Sequence, residues 1–457
     1  MRKSMWLFGG IAACLVATAC SRSGTSAPST TAPAATSTTA AAGGCGSAPL
    51  QATDVGITPS TITIEVMADV GSPLAPGLFK GNFDAMNAFA KYVNARGGIA
   101  CRQLVVRTWD SKLDATESKD GLIDACANAV AMVGNNALFN PDVSPMTGCA
   151  DKSGAATGLP DIAALANDSN EVCAPTAYVI SGVYQTCPVP TGVRPLTANV
   201  GPTLWFEKTF PGLHGLYLAA SDTPTLVQSA AYLIASQRQA GITFDGTPKV
   251  SGFDTQTAYT PRVQVVKASG STYVFNGSND IAMIRMRKEA AAQGATGVKV
   301  WACTLACYTA AMVSEGGSSV DGTYLSIGFL PFEEASLNAQ DQAYVSSSSS
   351  LTTWGAQAWQ AGLAFEQVVN GIVKAGGPNA VTRSAILDGL KNIGKFTADG
   401  WIGPTNLRDL SPCFVLMQIQ GGKFVRTYPT QAGTFDCSPT NDITVTIDPV
   451  AAAGQLK

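Results

Sequence analysis

Histidine is almost absent from this 457-residue chain, in which His214 is the single one. That scarcity excludes a multi-histidine metal site, and any Ser-His-Asp or Cys-His catalyst must use that one residue. Charge is scarce too, at 13% of residues with a formal net charge of −3, against roughly 25% in an ordinary globular chain. Long solvated helices, a basic face for nucleic acid and an acidic disordered tail are therefore poor fits. The 12 cysteines include no C-x-x-C pair, which argues against a cysteine metal cluster. A G-x-S-x-G nucleophile elbow is missing as well. What is present is length and apolar content: 457 residues, 46% hydrophobic, point to two domains or one bilobal body.

The chain begins with Arg2 and Lys3, then an apolar run from Met5 to Ala19 that closes on Ala17-Thr18-Ala19-Cys20. A positive start, a short apolar core and small residues before a cleavage point describe an export signal over residues 1–20. The run is too short and too rich in Gly and Ala for a membrane span. Cys20 after small residues resembles a bacterial lipobox, with Ala17 where that motif more often has Leu. The resemblance implies a diacylated Cys20, and several acyl chains hold a protein on a membrane at roughly 0.8 kcal/mol per buried CH₂. Residues 21–47 are expected to form a disordered Ser/Thr/Ala/Pro tether, because such a tract buries too little apolar surface to offset its ordering entropy.

Cys14 leaves with the signal and Cys20 carries lipid, so ten cysteines remain. In an oxidising extracytoplasmic space an even number is read as disulfides. Sequence does not give connectivity; the local pairs to expect are Cys303–Cys307, Cys413–Cys437, Cys173–Cys187 and Cys101–Cys126.

From Ser60 onward, short β-rich runs alternate with amphipathic stretches. Strand Thr61–Val66 is followed by a helix over 81–95, with Phe83, Met86, Ala90 and Val93 at helical spacing. Gly97-Gly98 stops that helix. Strand 104–106, helix 117–128 and strand 129–133 come next, and the pattern returns from Leu216 to Trp301. Repeated β-α-β spacing calls for parallel sheets covered by helices on both faces. Two such runs, separated by a loop-rich segment at 148–202, suggest two α/β lobes.

Ile64 to Gly134 resembles the opening of type I periplasmic solute-binding proteins, the leucine/isoleucine/valine-binding branch of the ABC transporter family. The resemblance is carried by Gly71-Ser72-Pro73-Leu74-Ala75, by Tyr92-Val93-Asn94-Ala95-Arg96-Gly97-Gly98-Ile99, and by Asp110 and Asp114 downstream. A second match lies at Phe396-Thr397-Ala398-Asp399-Gly400-Trp401-Ile402-Gly403, followed by 415–425. It implies two Rossmann-like lobes joined by a three-crossover hinge. The N-lobe is expected at 48–205 plus 351–405 and the C-lobe at 206–350 plus 406–457. The crossings fall near Trp205–Pro211, Leu330–Ser350 and Gly403–Pro412.

The same resemblance places a ligand beyond the carboxyl ends of the strands. Its expected walls are Asn135, Asn136, Ala137 and Leu138, then Ala163, Ala164 and Leu165. The far lobe contributes Ser221, Asp222 and Thr223, Asn276 and Ser278, and Cys303 and Thr304. Amino-acid binders of the family carry serine and threonine in the first two walls, whereas Ala and Leu stand here. A buried zwitterion without donors and acceptors is very costly. The expected ligand is thus an amide, an aromatic or another weakly charged metabolite.

Other motifs yield to bland readings. Gly389-Leu390-Lys391-Asn392-Ile393-Gly394-Lys395 fits most of a P-loop, but Phe396 replaces the magnesium-binding Ser/Thr and the glycines follow a helix. His214 reads as a surface or hinge residue, and Trp354, Trp359 and Phe365 as packing. Asp110 and Asp114 suit a strand-to-helix loop with a capping acid, and Ser346–Ser350 a flexible loop near a hinge. The expectation is a monomeric, non-enzymatic lipoprotein on the outer face of the cell membrane. It binds no nucleic acid, needs no cofactor or metal, and delivers a small molecule to an ABC permease. A sensor of the same fold, signalling through a separate partner, is the alternative.

Overall fold

The computed structural model describes residues 48–72, 76–182, 184–185 and 187–457, with the side chains of 184 and 185 left aside. The expected signal, Cys20, the tether and the Pro73-Leu74-Ala75 part of the family motif lie outside the described residues.

The first sheet is wholly parallel. It comprises β1 (Thr61–Ala68), β2 (Gln103–Asp110), β3 (Ala131–Val133), β4 (Asp161–Ala166) and β5 (Ala177–Gly182), in the order β2-β1-β3-β4-β5. Strands covered on both faces are apolar throughout rather than alternating, and β3 and β4 are buried at every position. Helix Lys80–Ala95 follows β1 and packs with the long helix Thr353–Gly376 from much later in the chain. Gly97 and Gly98 end it with φ of 102° and 83°, and a Cβ on Gly98 would sit 2.1 Å from the Arg102 carbonyl. Helix Ala115–Asn128 opens on Asp114, whose carboxylate accepts from Thr116 N and Glu117 N. That is the capping role its position suggests.

β6 (Tyr184–Gln185) and β7 (Arg194–Asn199) leave the first sheet altogether. The second sheet then holds β8 (His214–Ala220), β9 (Thr243–Gly246), β10 (Lys249–Val250), β11 (Tyr273–Asn276), β12 (Val300–Cys303), β13 (Thr323–Ile327), β14 (Val415–Gln420) and β15 (Lys423–Tyr428). Its order is β10-β8-β11-β12-β13-β14-β15, with β9 also on β8, and only β14 and β15 run antiparallel to their neighbours. The last strand, β16 (Asp442–Ile447), pairs antiparallel with β7. This small third sheet lies in and beyond segments read as loop, and its strands alternate: Leu196, Ala198 and Val445 are buried while Thr444 and Thr446 face out.

Three stretches connect the two large sheets. Residues at 328–330 and 401–402 run side by side, through the Phe329–Ile402 bridge and the Leu330 N to Trp401 O bond of 2.9 Å. The expected first crossing at Trp205–Pro211 already belongs to the second sheet. Helix Gly201–Thr209 sets Phe206 5.2 Å from Tyr324 and 6.2 Å from Tyr273, so the chain crosses before residue 201. An aromatic cluster on the second sheet draws this helix in, and loop composition at 148–202 gives no sign of it.

Disulfides join Cys126–Cys149, Cys173–Cys187, Cys303–Cys307 and Cys413–Cys437. The expected Cys101–Cys126 pair is corrected. Cys126 ends helix Ala115–Asn128 beside the loop that carries Cys149, with Cα atoms 5.7 Å apart, within the span a disulfide bridges. Cys101 is disulfide-bonded, but not to Cys126. Gly389 lies inside helix Arg383–Lys391 against Val368, so no phosphate loop forms there.

Candidate functional site

The carboxyl ends of the two sheets converge on one cleft of about 170 Å³. From the first lobe come Leu78 and Phe79 after β1, Leu113 after β2, Leu138 after β3, and Leu165 and Asn167 at the end of β4. The second lobe supplies Asp222 after β8, Gly252 after β10, Ser278 and Asn279 after β11, and Thr304 and Ala306 after β12. Trp354, in the first turn of the long helix, closes one side. Its indole meets Phe79 edge-on, centroids 5.2 Å apart.

Of the residues expected to face a ligand, Leu138, Leu165, Asp222, Ser278 and Thr304 line this cleft. The others hold the walls in place or lie in the core. Asn135 is buried, accepting from Met67 N at 2.8 Å and donating to Asp161 Oδ1 at 2.8 Å. Asn136 is buried and bridges β1 through its main chain, and Ala137 sits in the core. Ala163 and Ala164 lie inside β4, fully buried; the stretch expected to be a wall loop after a strand is itself the strand. Ser221 donates to the Val250 carbonyl at 2.9 Å, and Thr223 caps helix Pro224–Gln239. Asn276 donates to the Asn279 carbonyl at 2.7 Å and to Cys303 Sγ at 3.3 Å, beneath the Cys303–Cys307 bridge.

The sequence reading missed the apolar half of the site: Leu78, Phe79, Leu113, Leu226 and Trp354. It also missed Asp69, the group that shapes it. Asp69 is fully buried just past β1. Its Oδ1 accepts from Ser111 Oγ at 2.7 Å and Leu113 N at 2.6 Å, and its Oδ2 from Leu138 N at 2.8 Å. One carboxylate thereby ties together two cleft loops. Burial raises its pKa above the usual range, against the pull of those three bonds. The only sequence signal is its position, an acid directly following a strand's carboxyl end.

The polar groups of the cleft are largely spoken for. Asp222 Oδ1 accepts from Ser251 Oγ at 2.6 Å and Gly252 N at 3.2 Å. Asn279 Oδ1 accepts from Ala282 N, and Thr304 Oγ1 from Ala306 N. Among the described residues no lysine or arginine lines the cleft. Nor does any group of three or more metal-ligating side chains gather anywhere among them. His214 starts β8, at the end of the strand away from the cleft, with Nδ1 3.0 Å from Asp245 Oδ2.

Two three-layer lobes with a cleft at their strand ends define a class of binding protein that encloses a small molecule. Residues 61–423 match the family described as "Periplasmic binding protein", and the chain belongs to that family. Its fold is the type I periplasmic binding protein fold, that of ligand-binding proteins and not of enzymes, and an extracytoplasmic location goes with the family. No curated protein matches. Similar solved structures include a fatty acid ABC transporter substrate-binding protein from Thermomonospora curvata, with 13% identity, 83% of this chain and 97% of that one covered, and TM-score 0.60. A leucine-binding protein from Thermotoga maritima gives 11% identity, 80% and 97% coverage, and TM-score 0.59. An ABC transporter substrate-binding protein from Aeropyrum pernix gives 11% identity, 87% and 100% coverage, and TM-score 0.62.

Proposed function

We propose that this protein captures a small, mainly apolar molecule in the interlobe cleft and presents it to an ABC permease. Cys20 would hold it by lipid at the outer face of the membrane as a monomer. The observation that carries the ligand class is the lining: five leucines, Phe79 and Trp354 against a single acid, Asp222, already hydrogen-bonded by its own lobe. A free α-amino acid requires an acceptor for its ammonium and several donors for its carboxylate, and unmatched buried charge is costly. An amide, a small aromatic or an aliphatic molecule requires neither. Two of the similar proteins, named as binding fatty acid and leucine, agree with an apolar side-chain or tail subsite. Closure would be a hinge motion about the three crossings, with the lobes meeting near 187–200, 328–352 and 395–414.

Native mass spectrometry of protein purified from its host identifies a retained molecule directly, and an apolar one is expected. Calorimetry against a panel of free amino acids, amides and small aromatics provides the comparison. Micromolar binding of leucine or glutamate would refute the ligand class.

A further inference from the structure

We propose that Arg194 anchors a second ligand site, adjoining the cleft, that takes one carboxylate or other small oxyanion. A separate cavity of about 260 Å³ lies between the first lobe, the small third sheet and helix Pro224–Gln239. It shares Asn167 with the apolar cleft as a common wall.

Arg194 is the cavity's one cation among the described residues, and it is 9% exposed. A guanidinium has five N–H donors and no acceptor. Its sole hydrogen bond here is a long one of 3.4 Å from Nη1 to the Pro190 carbonyl, and its buried Nε has no partner. No acid among the described residues forms an ion pair with it. Leaving a buried cation so poorly matched is expensive, unless a ligand completes it. Facing it is the first turn of a 16-residue helix, through Pro224, Thr225 and Gln228. Pro224 carries no N–H and Thr223 Oγ1 caps Leu226 N, so the helix offers Thr225 N and its positive end, which favour an anion.

Two acids bear on the site: Asp168, which lines the cavity, and Asp448, whose charge acts on Arg194 without an ion-pair contact, and each also holds backbone N–H groups of its own segment. Asp168 Oδ1 accepts from Asn170 N at 2.9 Å and Nδ2 at 3.2 Å. Asp448 Oδ1 accepts from Val450 N and Ala451 N at the head of a short helix. Because the walls come from both lobes, an anion seated here would also bridge them and favour the conformation that the cleft needs to hold its guest.

The same chemistry has two sources: an acidic end on the cleft's own ligand, or a free ion. Calorimetry at fixed ionic strength with acetate, phosphate, octanoate and uncharged 1-octanol separates them, using the wild type, Arg194→Gln and Gln228→Glu. Gln228 is half-buried on the helix surface, so its variant tests the site even if Arg194→Gln misfolds. Both substitutions are expected to weaken anion binding at least tenfold and to leave 1-octanol binding unchanged. Octanoate binding at least tenfold tighter than acetate assigns the anion to the cleft ligand; equal binding of acetate or phosphate assigns a free ion. Anion affinity unchanged by Gln228→Glu, or no anion binding by the wild type, overturns the proposal. Should 1-octanol fail to bind, the reading of the cleft as apolar falls, while the acetate and phosphate arms still decide Arg194.

Discussion

Phe79 and Trp354 meet edge-to-face across the mouth of the cleft, their ring planes at 83° and centroids 5.2 Å apart. Phe79 is the residue before helix Lys80–Ala95 and Trp354 stands in the first turn of helix Thr353–Gly376, far apart in sequence, and both line the cleft. Aromatic pairs of this geometry contribute about 0.5–1.5 kcal/mol beyond the area they bury.

Removing the indole should therefore cost binding more than folding. Trp354 is half-buried, unlike Trp359, which is fully enclosed against Phe89 at 5.2 Å and Tyr344 at 5.7 Å. Trp354→Ala is expected to weaken binding of an apolar probe such as 1-octanol about tenfold or more, while lowering stability by about 1–2 kcal/mol. Trp359→Ala should instead cost about 3–5 kcal/mol of stability. Urea unfolding and calorimetry on the same preparations check both.

Asp69 gives a second test. Asp69→Asn keeps one oxygen but turns an amide N–H₂ toward a donor that now has a carboxylate oxygen, either Leu138 N on one side or Leu113 N on the other. Leaving a buried N–H without an acceptor costs about 1–3 kcal/mol. Loss of stability should be accompanied by faster amide hydrogen exchange at Leu113 and Leu138, with strands of the second sheet unaffected.

Stability should fall with rising pH on account of Asp341. It is fully buried in the first turn of helix Ala339–Ser347, and neither carboxylate oxygen has a hydrogen-bond partner. Burial, and then the charges of Glu333 and Glu334, push its pKa up to about 8. The folded protein then keeps a proton that the unfolded chain releases near pH 4. Its stabilising effect is complete below about pH 4 and is lost as pH climbs to about 8. Asp341→Asn should flatten this part of the profile and gain about 2 kcal/mol at pH 8.5, read from denaturant midpoints at stepped pH.

The disulfides should separate by loop length. Cys413 and Cys437 enclose a sequence separation of 24 and Cys303 and Cys307 one of 4. In the chain-entropy description the longer loop stabilises by about 3.5 kcal/mol and the shorter by about 2. Cys413→Ser/Cys437→Ser should accordingly lower the unfolding midpoint more. Cys303→Ser/Cys307→Ser should disturb the cleft instead, since Thr304 and Ala306 of that loop line it. Comparing unfolding with probe binding in the two double variants distinguishes the effects.

The alternation of strand and helix was legible because each element carries its own period. Helix Lys80–Ala95 has Met86, Ala90 and Val93 on one buried face and a glycine pair at its end. Local disulfides were legible for the same reason, and Cys101–Cys126 failed as soon as the partner lay in a different loop. The pairing of β7 with β16 could not be seen: their residues lie some 250 positions apart, and alternating Thr, Val and Ile in β16 says strand without saying beside what.

The amino-acid order by itself determined the alternation of strand and helix in two α/β runs, because hydrophobic periodicity is a local instruction, whereas the site at the strand ends was expected only from the family resemblance. It also determined that the residue lining the cleft after β3 is apolar, since Leu138 stands there. Tertiary structure alone decided which side chains face a ligand. The extent of β4, Asp161–Ala166, buries Ala163 and Ala164 and leaves Leu165 on the cleft. Only packing of distant helices could bring Phe79 to Trp354, or leave Arg194 buried with its Nε unmatched.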